Sequence, residues 1–548
     1  MDEVLRLALE TLEIQKQAII FCPSRASAEK TAEDIAKLLP FGKPEVQNLE
    51  REVSKVVSPP TKQCKRLANM IKKGVAFHHS GLHSKQKEII ENNFKEGKIN
   101  IIAATPTLAA GLSLPVFRVI IKSLKRYSGK WGMDWIPVLE YLQMAGRAGR
   151  PEFEKYGEAI VVAKDEKDKL KIYEKYICGE PEDIYSKLSA EPILRMYLLS
   201  LISSGIITDT ENMREFFKQT FWAHQYSDMQ ELEEKMDKIL SLLKEWKFVI
   251  LGDINKDKGS ENKNSNNTKN NNDSLFTSAL DLFKKNEAQA NKTSFNSKNA
   301  NDSKVTKLRA TLIGKRISQL YLDPLTAKHL IDCLKRCKEI EINDFSFLQM
   351  ISNTIEMMPL LRIKSKEQDE IQAKLLQNYD FLLQDEPTEY DFEYHDFMNS
   401  IKTALFLEAW VNEQGEDFLL EKYNVRPGEI RVKLEIANWL LYSCGELGDL
   451  LSLRDITNKI KRLRIRVKHG VKEELLTFMK LKGVGRKRAR KLYRNGMKDL
   501  GDLKKIDFGS LSVLIGNKIA ISVKEQLGEK VNVIPKGKRK GQLGLNKF

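Results

Sequence analysis

Two arginines three residues apart, Arg147 and Arg150, stand among glycines in the stretch QMAGRAGRP at 143–151. A guanidinium group is always charged and binds phosphate through paired N–H donors, so this spacing indicates a clamp for the γ-phosphate of a nucleotide. The 548 residues contain no G-x-x-x-x-G-K-[ST] loop, which would cradle the α- and β-phosphates and help to hold Mg²⁺. The alternative is a Gly/Arg-rich surface turn that binds no ligand.

Two further segments carry groups that bind phosphate. A predicted strand is followed by Ser24 and Arg25, which offer a hydroxyl and a guanidinium to a nucleic-acid phosphate. Thr105 and Thr107 offer two hydroxyls at a predicted helix N-terminus, which is also a favourable seat for phosphate. Each segment is a weak signal alone, but their order and spacing ahead of the arginine motif favour one phosphate-handling domain.

The elements that would position these groups alternate along residues 1–165. Helix-like segments separate five apolar runs that are predicted to be strands, at 18–22, 74–78, 99–104, 116–121 and 159–163. This alternation predicts an α/β domain with a parallel sheet covered by helices on both faces. Function in such sheets lies beyond the carboxyl ends of the strands, so Ser24, residues 79–82 and Thr105 are expected at one edge.

The rest of the chain is predicted to be mainly helical and to form further domains. Residues 253–304 are rich in Asn, Lys and Ser and have too little apolar content to fold, which predicts a disordered insert. Composition and helical spacing predict domains at 1–168, 169–322, 323–450 and 451–525, followed by a basic tail at 526–548.

The chain carries a formal net charge of +16, from 91 Lys and Arg against 75 Asp and Glu. This excess suggests a polyanionic partner such as nucleic acid, although a Lys-rich proteome would give the same composition. Six scattered cysteines indicate a reducing compartment, and no apolar run is long enough to span a membrane. We therefore expect a soluble, cytoplasmic and nucleoid-associated protein with no metal site and no membrane partner.

The first 168 residues resemble the second RecA-like lobe of superfamily 2 helicases, through the runs AIIFCPSRASAEKTA, VAFHHSGL, AATPTLAAGLSLP and EYLQMAGRAGRP. Within that superfamily they are similar to the archaeal Hjm-type DNA repair helicases, which are related to the polymerase-theta helicase. The resemblance implies ATP with Mg²⁺ as the cofactor and Arg150 as an arginine finger, a group worth roughly 10³–10⁵ in rate. The family usually has Asn where Ser113 stands. The residues implied to face the nucleotide are Gln143, Gly146, Arg147, Arg150 and Gly111.

A hairpin is predicted between two motifs of this lobe, with arms at 119–127 and 131–137 around a Gly turn. In the resembled family, a hairpin at this place separates the two strands of a duplex. Tyr127 and Trp131 are the candidate wedges, because stacking of a base on an aromatic ring is worth about 1–3 kcal/mol. The alternative is an edge hairpin with no wedge role.

The resemblance continues through a winged-helix module, which includes residues 216–225, and a helical ratchet domain. In the ratchet, residues 424–429 carry a helix start signal, and the helix that follows matches the family's helix along the translocating strand. Trp439 corresponds to a stacking Trp, with core packing as the alternative. The arginine usual one heptad earlier falls on Val432, so either Arg431, about 100° away around the helix, reaches the strand or the contact is lost.

Residues 481–493 match a helix–hairpin–helix motif. Its turn, with Gly483 and Gly485, would expose backbone N–H groups that bind phosphate without reading bases. Arg486 and Arg488 add charge for salt-dependent, sequence-blind binding, and the alternative is a merely solvated basic helix.

The tail ends in a spaced pattern formed by Gln542, Leu545 and Phe548. It resembles a sliding-clamp-binding peptide, because one helical turn would present the Leu and Phe side chains together to an apolar pocket. The usual second aromatic residue is missing. The sliding clamp is therefore a candidate protein partner.

These features together predict the C-terminal part of an ATP-dependent 3′→5′ DNA helicase. It would act in replication-fork repair or recombination, on single-stranded and forked DNA. Because the phosphate loop is absent, we expect a separately encoded first lobe to bind most of the ATP and Mg²⁺, so that this chain alone is inactive. Two alternatives remain open: a non-catalytic DNA-binding or scaffold remnant, and an RNA helicase of the exosome-linked branch.

Overall fold

The computed structural model of the chain describes residues 2–40, 44–56, 60–111, 114–127, 133–149, 155–226, 229–253 and 306–529. These residues form two compact units. The first comprises Met1–Ile184 with His329–Phe548, and the second comprises Tyr185–Lys328. Within the described ranges, no helix is both long and apolar enough to cross a membrane.

The N-terminal part of the first unit is built around a parallel sheet. The described strands of this part are β1 (Ala18–Phe21), β2 (Val75–His78), β3 (Ile101–Ala104), β4 (Arg118–Ile121), β5 (Lys125–Tyr127), β6 (Met133–Trp135) and β7 (Glu158–Val161). The order in the parallel sheet is β2-β3-β1-β4-β7. Strands β1 to β4 are buried along their whole length, as the continuous apolar runs predict for a sheet covered on both faces. The predicted α/β fold and its five sheet strands are confirmed.

Helices connect these strands and bring the informative loops to one edge. They are α1 (Glu3–Glu13), α2 (Arg25–Leu38), α3 (Pro44–Lys55), α4 (Lys62–Ile71), α5 (Ser84–Lys95), α6 (Thr107–Gly111), α7 (Val138–Ala145) and α8 (Glu166–Ile172), which continues as a π-helical turn at Tyr173–Ile177. The last residues of β1 and β2, Phe21 and His78, are both paired with Ala104 at the end of β3. The loops that follow these three strands therefore start side by side.

The second unit has the elements of a winged helix. Its elements are α9 (Glu191–Ser204), α10 (Thr210–Lys218), α11 (Phe221–Tyr226), α12 (Met229–Glu245), β8 (Val249–Asp253), β9 (Thr306–Ala310) and α13 (Leu312–Gln319). Strands β8 and β9 pair antiparallel as the wing. Most of the predicted insert at 253–304 lies between them, outside the described residues.

The C-terminal part of the first unit is helical. Its helices are α14 (Pro324–Arg336), which begins in the second unit, α15 (Asp344–Ser352), α16 (Gln368–Gln377), α17 (Tyr394–Val411), α18 (Glu416–Tyr423), α19 (Pro427–Leu450), α20 (Arg454–His469), α21 (Arg486–Arg494), α22 (Leu500–Lys505), α23 (Phe508–Ile515) and α24 (Asn517–Gln526). Short 3₁₀ turns lie at Ile355–Met357, Ser365–Glu367, Tyr379–Phe381 and Glu473–Lys480. Helices α19 and α20 pack closely, since a Cβ on Gly448 would lie 2.6 Å from the Thr457 hydroxyl. The last four helices surround a small apolar core of their own.

Candidate nucleic-acid and nucleotide interfaces

A groove of about 1020 Å³ lies beyond the carboxyl ends of β1 and β3. Its lining includes four residues predicted to contact nucleic acid and one predicted to face the nucleotide. They are Ser24, Arg25, Thr105, Thr107 and Gln143. Asn424 and Arg426, which belong to the C-terminal part of the same unit, also line the groove. The structure therefore brings these separately predicted residues together in one place.

Ser24 and Arg25 stand at the start of α2, beside the groove. Ser24 is the N-cap of that helix, and its Oγ accepts a hydrogen bond from the backbone N–H of Ser27 at 3.2 Å. Arg25 forms an ion pair with Glu429 of helix α19. The two paired side chains remain 34% and 33% exposed. Arg25 therefore reaches the groove, but its guanidinium already has a carboxylate partner.

Thr105 and Thr107 follow strand β3. Their hydroxyl oxygens are 2.9 Å apart, and the backbone N–H of Thr105 donates to the carbonyl of His78 at 3.2 Å. Thr105 is buried, whereas Thr107 is exposed. Of the two hydroxyls, that of Thr107 is therefore the one open to a ligand in the groove.

The residues predicted to face a nucleotide lie near the ends of two helices. Gln143 is exposed on α7, Gly146 is the C-cap of the same helix, and Gly111 is the last residue of α6. The predicted arginine finger, Arg150, lies outside the described residues. The nucleotide roles of these residues stay predictions.

Arg147 makes a contact within the lobe. Its Nε donates to the backbone carbonyl of Ala109 at 3.1 Å, and a second guanidinium nitrogen donates to the same oxygen. This contact ties the turn after α7 to helix α6. A guanidinium group has five N–H donors, so others remain for phosphate. The nucleotide role of Arg147 stays a prediction.

Helix α19 begins against the loop that follows β2. The backbone N–H of Gly428 donates to the carbonyl of Gly81 at 3.1 Å. A Cβ on Gly428 would lie 2.3 Å from the carbonyl oxygen of Ser80, and a Cβ on Gly81 would lie 2.8 Å from Cδ of Arg426. Glycine at both positions permits this close approach of two distant chain segments.

Glu29 of α2 is the centre of a polar cluster beneath this contact. Its carboxylate accepts hydrogen bonds from Gln63 at 2.9 Å and from Arg66 at 2.6 Å, and a guanidinium nitrogen of Arg426 lies 3.5 Å away. The Nδ1 of His79 accepts a backbone N–H, so its Nε2 carries the hydrogen donated to Glu29 at 3.1 Å. One carboxylate therefore joins α2, α4, the loop after β2 and the residue before α19.

The ionisation of this cluster follows from burial and from these partners. Burial opposes the charged form of Glu29, but hydrogen bonds from His79 and Gln63, with the charge of Arg426, lower its pKa to about 2. Burial also lowers the pKa of His79. Near neutral pH, a charged carboxylate therefore accepts from a neutral imidazole and balances the nearby arginines.

Every arginine in the groove lining has a carboxylate partner. The pairs are Arg25 with Glu429, Arg426 with Glu29, and Arg126 with Glu140. The side chains of Arg126 and Glu140 are 3.0 Å apart. A polyanion that enters the groove must therefore compete with carboxylates for these guanidinium groups.

The predicted hairpin of the lobe is present. Strands β5 and β6 pair antiparallel, with Tyr127 opposite Met133. The first arm is shorter than predicted, because residues 118–121 belong to the central sheet as β4. Trp131 and the side chain of Tyr127 lie outside what the structure describes, so their wedge role stays a prediction.

The predicted strand-contacting face of α19 is partly open. Val432 is 54% exposed, and Trp439, seven residues later on the same face, is half-buried. Arg431 donates to Glu435 at 2.9 Å and to the hydroxyl of Ser84 at 3.2 Å. Arg431 is therefore turned towards helix α5 of the lobe, and its contact with nucleic acid stays a prediction.

The turn of the helix–hairpin–helix motif is open to solvent. Gly483 has a φ of +85°, which favours glycine, and Gly485 is the N-cap of α21. A Cβ on Gly485 would meet no heavy atom within 4 Å. Gly485 is therefore at an open position, whereas a Cβ on Gly483 would lie 3.0 Å from Cδ1 of Ile519.

The arginines after this turn contact the protein itself. Arg486 lies over the ring of Trp410 at 4.8 Å and donates to the carbonyl of Gln414 at 3.2 Å. Arg488 donates to the carbonyls of Ile515 at 3.3 Å and of Gly483 at 3.1 Å. Their predicted binding of nucleic acid stays untested. The predicted clamp-binding residues Gln542, Leu545 and Phe548 lie outside the described residues.

Three family models match this chain. Residues 1–152 match the helicase conserved C-terminal domain, and residues 157–250 match a helix-turn-helix domain. Residues 345–470 match domain 4 of the archaeal helicases. The winged-helix prediction for the second unit is confirmed by the second match together with the fold.

Curated relatives align along almost the whole chain. The ATP-dependent DNA helicase Hel308 of Methanocella arvoryzae is 34% identical over 544 residues, which cover 97% of this chain and 66% of the relative. The protein of the same name from Pyrococcus horikoshii is 34% identical over 545 residues, covering 98% and 67%. The chain thus spans about two thirds of the length of these relatives.

Sequence reasoning missed the groove residues Arg126 and Arg426 and the carboxylates Glu29 and Glu429. Only Glu429 had a local signal, because it stands three residues after Arg426 at a predicted helix start and closes a capping box there. The other partner of Glu429 is Arg25, which is 404 residues away in the chain. No local pattern could have predicted that pairing.

Proposed function

Because this chain belongs to the Hel308 family of archaeal helicases, we propose that it contributes the second motor lobe and the DNA-binding domains of an ATP-dependent DNA helicase. The observation that carries the proposal is the groove lined by Ser24, Arg25 and Thr107. Gln143, which would face the nucleotide, lines the same groove. A strand in the groove and ATP at the lobe edge would therefore contact neighbouring elements.

In this proposal, single-stranded DNA lies in the groove through its phosphates. Hydroxyl and guanidinium groups hold the backbone without reading the sequence, as a translocating enzyme requires. Val432 and Trp439 would form an apolar face for a base, and the turn at Gly483 and Gly485 would bind a further phosphate. The domains proposed to do this are 1–168 (motor lobe), 169–322 (winged helix), 323–450 (ratchet) and 451–525 (helix–hairpin–helix).

ATP hydrolysis requires one more component. These 548 residues contain no phosphate loop, so we propose that ATP and Mg²⁺ are held mainly by another lobe. The same chemistry holds whether that lobe is a separate chain or part of the same polypeptide. Arg147 and Arg150 would then reach the γ-phosphate from this side. By family likeness the motion is 3′→5′, on forked DNA in repair, and the tail would bind the sliding clamp.

The proposal is tested by ATPase assays with and without oligo(dT), on the 548-residue chain alone and mixed with a cognate lobe that carries the phosphate loop. We expect no DNA-stimulated hydrolysis from the chain alone and hydrolysis from the mixture. Fluorescence anisotropy with labelled oligo(dT) should show binding by the chain in both cases. Turnover by the chain alone would contradict the need for a second lobe, and absence of binding would contradict the DNA groove.

A further inference from the structure

We propose that Glu429 occupies the place of a DNA phosphate on Arg25, and that a phosphate of the bound strand takes its place. The inference rests on the proposed function, since it assumes that single-stranded DNA enters the groove. Glu429 of the ratchet helix α19 would therefore lower the affinity of the motor lobe for the DNA strand. Arg426, which lines the same groove, is then a further cationic group that faces the strand.

The two carboxylates that pair with groove arginines, Glu429 and Glu29, differ in their exposure to solvent. The side chains of Arg25 and Glu429 are each about one-third exposed, at 34% and 33%. Glu29, the partner of Arg426, is 5% exposed and has three further hydrogen-bond donors. A strand phosphate can therefore reach Arg25, while Glu29 stays in its buried cluster.

The two oxygens of Glu429 have different partners. Oε1 pairs with Arg25, whereas Oε2 accepts the backbone N–H of Arg426 at 2.9 Å and so caps α19. Arg25 can therefore leave without breaking the cap. A partly exposed ion pair contributes little, and a phosphate offers a guanidinium group paired acceptors, so the exchange is favourable in principle.

The carboxylate cannot move far when the phosphate arrives. The residue before it, Gly428, is hydrogen-bonded to Gly81 at 3.1 Å, and a Cβ on Gly428 would lie 2.3 Å from the Ser80 carbonyl oxygen. Glu429 therefore stays beside the incoming phosphate, and the two negative charges repel each other. Removing the charge at 429 should strengthen strand binding.

The test is anisotropy of fluorescein-labelled oligo(dT) with the full chain, titrated over a series of NaCl concentrations. Glu429→Gln removes the charge and keeps a side-chain oxygen for the cap. We expect it to bind about two- to fivefold more tightly at low salt, the size of one exposed ion pair. We also expect the slope of log K against log[salt] to steepen by up to about 0.7, the value of one single-strand phosphate contact.

Glu421→Gln is the matched control. Glu421 pairs with Lys62 at 2.5 Å, which is another exposed pair between the helical part and the lobe, but neither residue lines the groove. It changes the net charge by the same amount as Glu429→Gln. We expect its affinity and salt slope to stay close to those of the wild type. Equal effects of the two substitutions would overturn the inference, because the gain would then be one of overall charge.

Arg25→Ala gives an independent test should the Gln variant melt at a lower temperature than the wild type. It should weaken binding and flatten the salt slope, and the Arg25→Ala, Glu429→Gln double variant should lose most of the gain seen with Glu429→Gln alone. Wild-type affinity of Arg25→Ala would overturn the inference. Failure of the wild type to bind oligo(dT) would instead overturn the proposed function, so the two failures are distinguishable.

Discussion

The groove of the motor lobe and the helix–hairpin–helix motif both contain arginines predicted to bind nucleic acid, but they use them differently. In the groove, Arg25 pairs with a partly exposed carboxylate of another element. In the helix–hairpin–helix motif, Arg486 lies over Trp410, and Arg490 pairs with Glu413 and Glu474 at 2.6 and 2.8 Å. In our proposal a phosphate replaces the carboxylate of the first arrangement, whereas the second joins helix α21 to Trp410 and Glu413.

A basic run in a sequence does not by itself locate a phosphate site, because the folded protein can already bind its side chains. The helix–hairpin–helix segment has the denser charge, yet Arg486 and Arg490 contact protein groups. The groove lining also has three arginines, each paired with a carboxylate, but hydroxyls lie beside them in a cavity of about 1020 Å³. The proposed exchange at Arg25 would therefore contribute more to phosphate binding than the protein-bound Arg486 and Arg490. Four experiments test this comparison.

The largest effect is expected at the nucleotide edge. In the presence of a lobe that carries the phosphate loop, Arg150→Ala should lower DNA-stimulated ATP turnover by roughly 10³-fold or more, because it removes charge that stabilises the transferred phosphoryl group. Binding of oligo(dT) should be unchanged. Arg6→Ala, which removes an exposed arginine paired with Glu3 in α1, is the control and should keep turnover. Normal turnover by Arg150→Ala would remove the finger assignment.

The buried carboxylate beneath the groove should make stability depend on acid pH. The pKa of Glu29 is lowered to about 2, so its stabilisation is complete above the ordinary value of about 4.5 and is lost as the pH falls towards 2. The ionised Glu29 therefore contributes about 3 kcal/mol to the free energy of unfolding at neutral pH. Thermal melting should therefore show a large loss of stability for Glu29→Gln at pH 7, a loss less than half as large at pH 3, and little loss near pH 2.

Glu33→Gln is the matched control for this pH dependence. Glu33 lies on the same helix and also pairs with Arg66, but it is 39% exposed. The loss of stability caused by Glu33→Gln should be small at each of these pH values, since exposed ion pairs contribute little. A pH-independent loss for Glu29→Gln would show that packing, and not ionisation, holds the cluster together.

A pair of glycines tests how tightly each region is packed. Gly428→Ala places a Cβ 2.3 Å from the Ser80 carbonyl oxygen, and overpacking of this kind costs about 1–3 kcal/mol. Gly485→Ala places a Cβ where no heavy atom lies within 4 Å. Thermal melting should show a lower melting temperature for Gly428→Ala and no change for Gly485→Ala. Equal melting temperatures would mean that α19 does not need its close approach to the lobe.

The smallest effect is expected on the salt dependence of DNA binding. Arg486→Ala should change the slope of log K against log[salt] by less than Arg25→Ala does, because its guanidinium lies over Trp410 and donates to Gln414. Anisotropy with oligo(dT) measures both slopes. If Arg486→Ala lowers the slope by a full phosphate contact, about 0.7, the two regions are equivalent and the comparison fails.

Much of the motor lobe could be predicted because its signals are local. Five apolar runs between helical segments became the five strands of the parallel sheet, and the segments at Ser24, Thr105 and Gln143 meet at one groove. Parallel strands place their carboxyl ends together, so the order of elements was enough. The hairpin arm was predicted too long, because a run of apolar residues does not show where the chain leaves the sheet.

The partners of the charged side chains could not be predicted. The motif around Arg147 predicts a phosphate ligand. Its contact with the carbonyl of Ala109, in contrast, depends on how α6 and α7 pack. Arg486 reads as a phosphate ligand for the same reason, and its position over Trp410 depends on how two helical domains meet. A motif therefore indicates which groups a side chain can bind, whereas the packing of the folded chain determines which group it contacts.

The α/β lobe, the family likeness and the candidate phosphate ligands could be predicted from the amino acids alone, because periodicity and motif spacing act over a few residues. The pairing of Arg25 with Glu429, 404 residues away, and the close approach at Gly428 and Gly81 became visible only in the folded chain. A contact between distant segments depends on the packing of everything between them. That dependence is the physical reason why the charge balance of the groove became visible only in the folded chain.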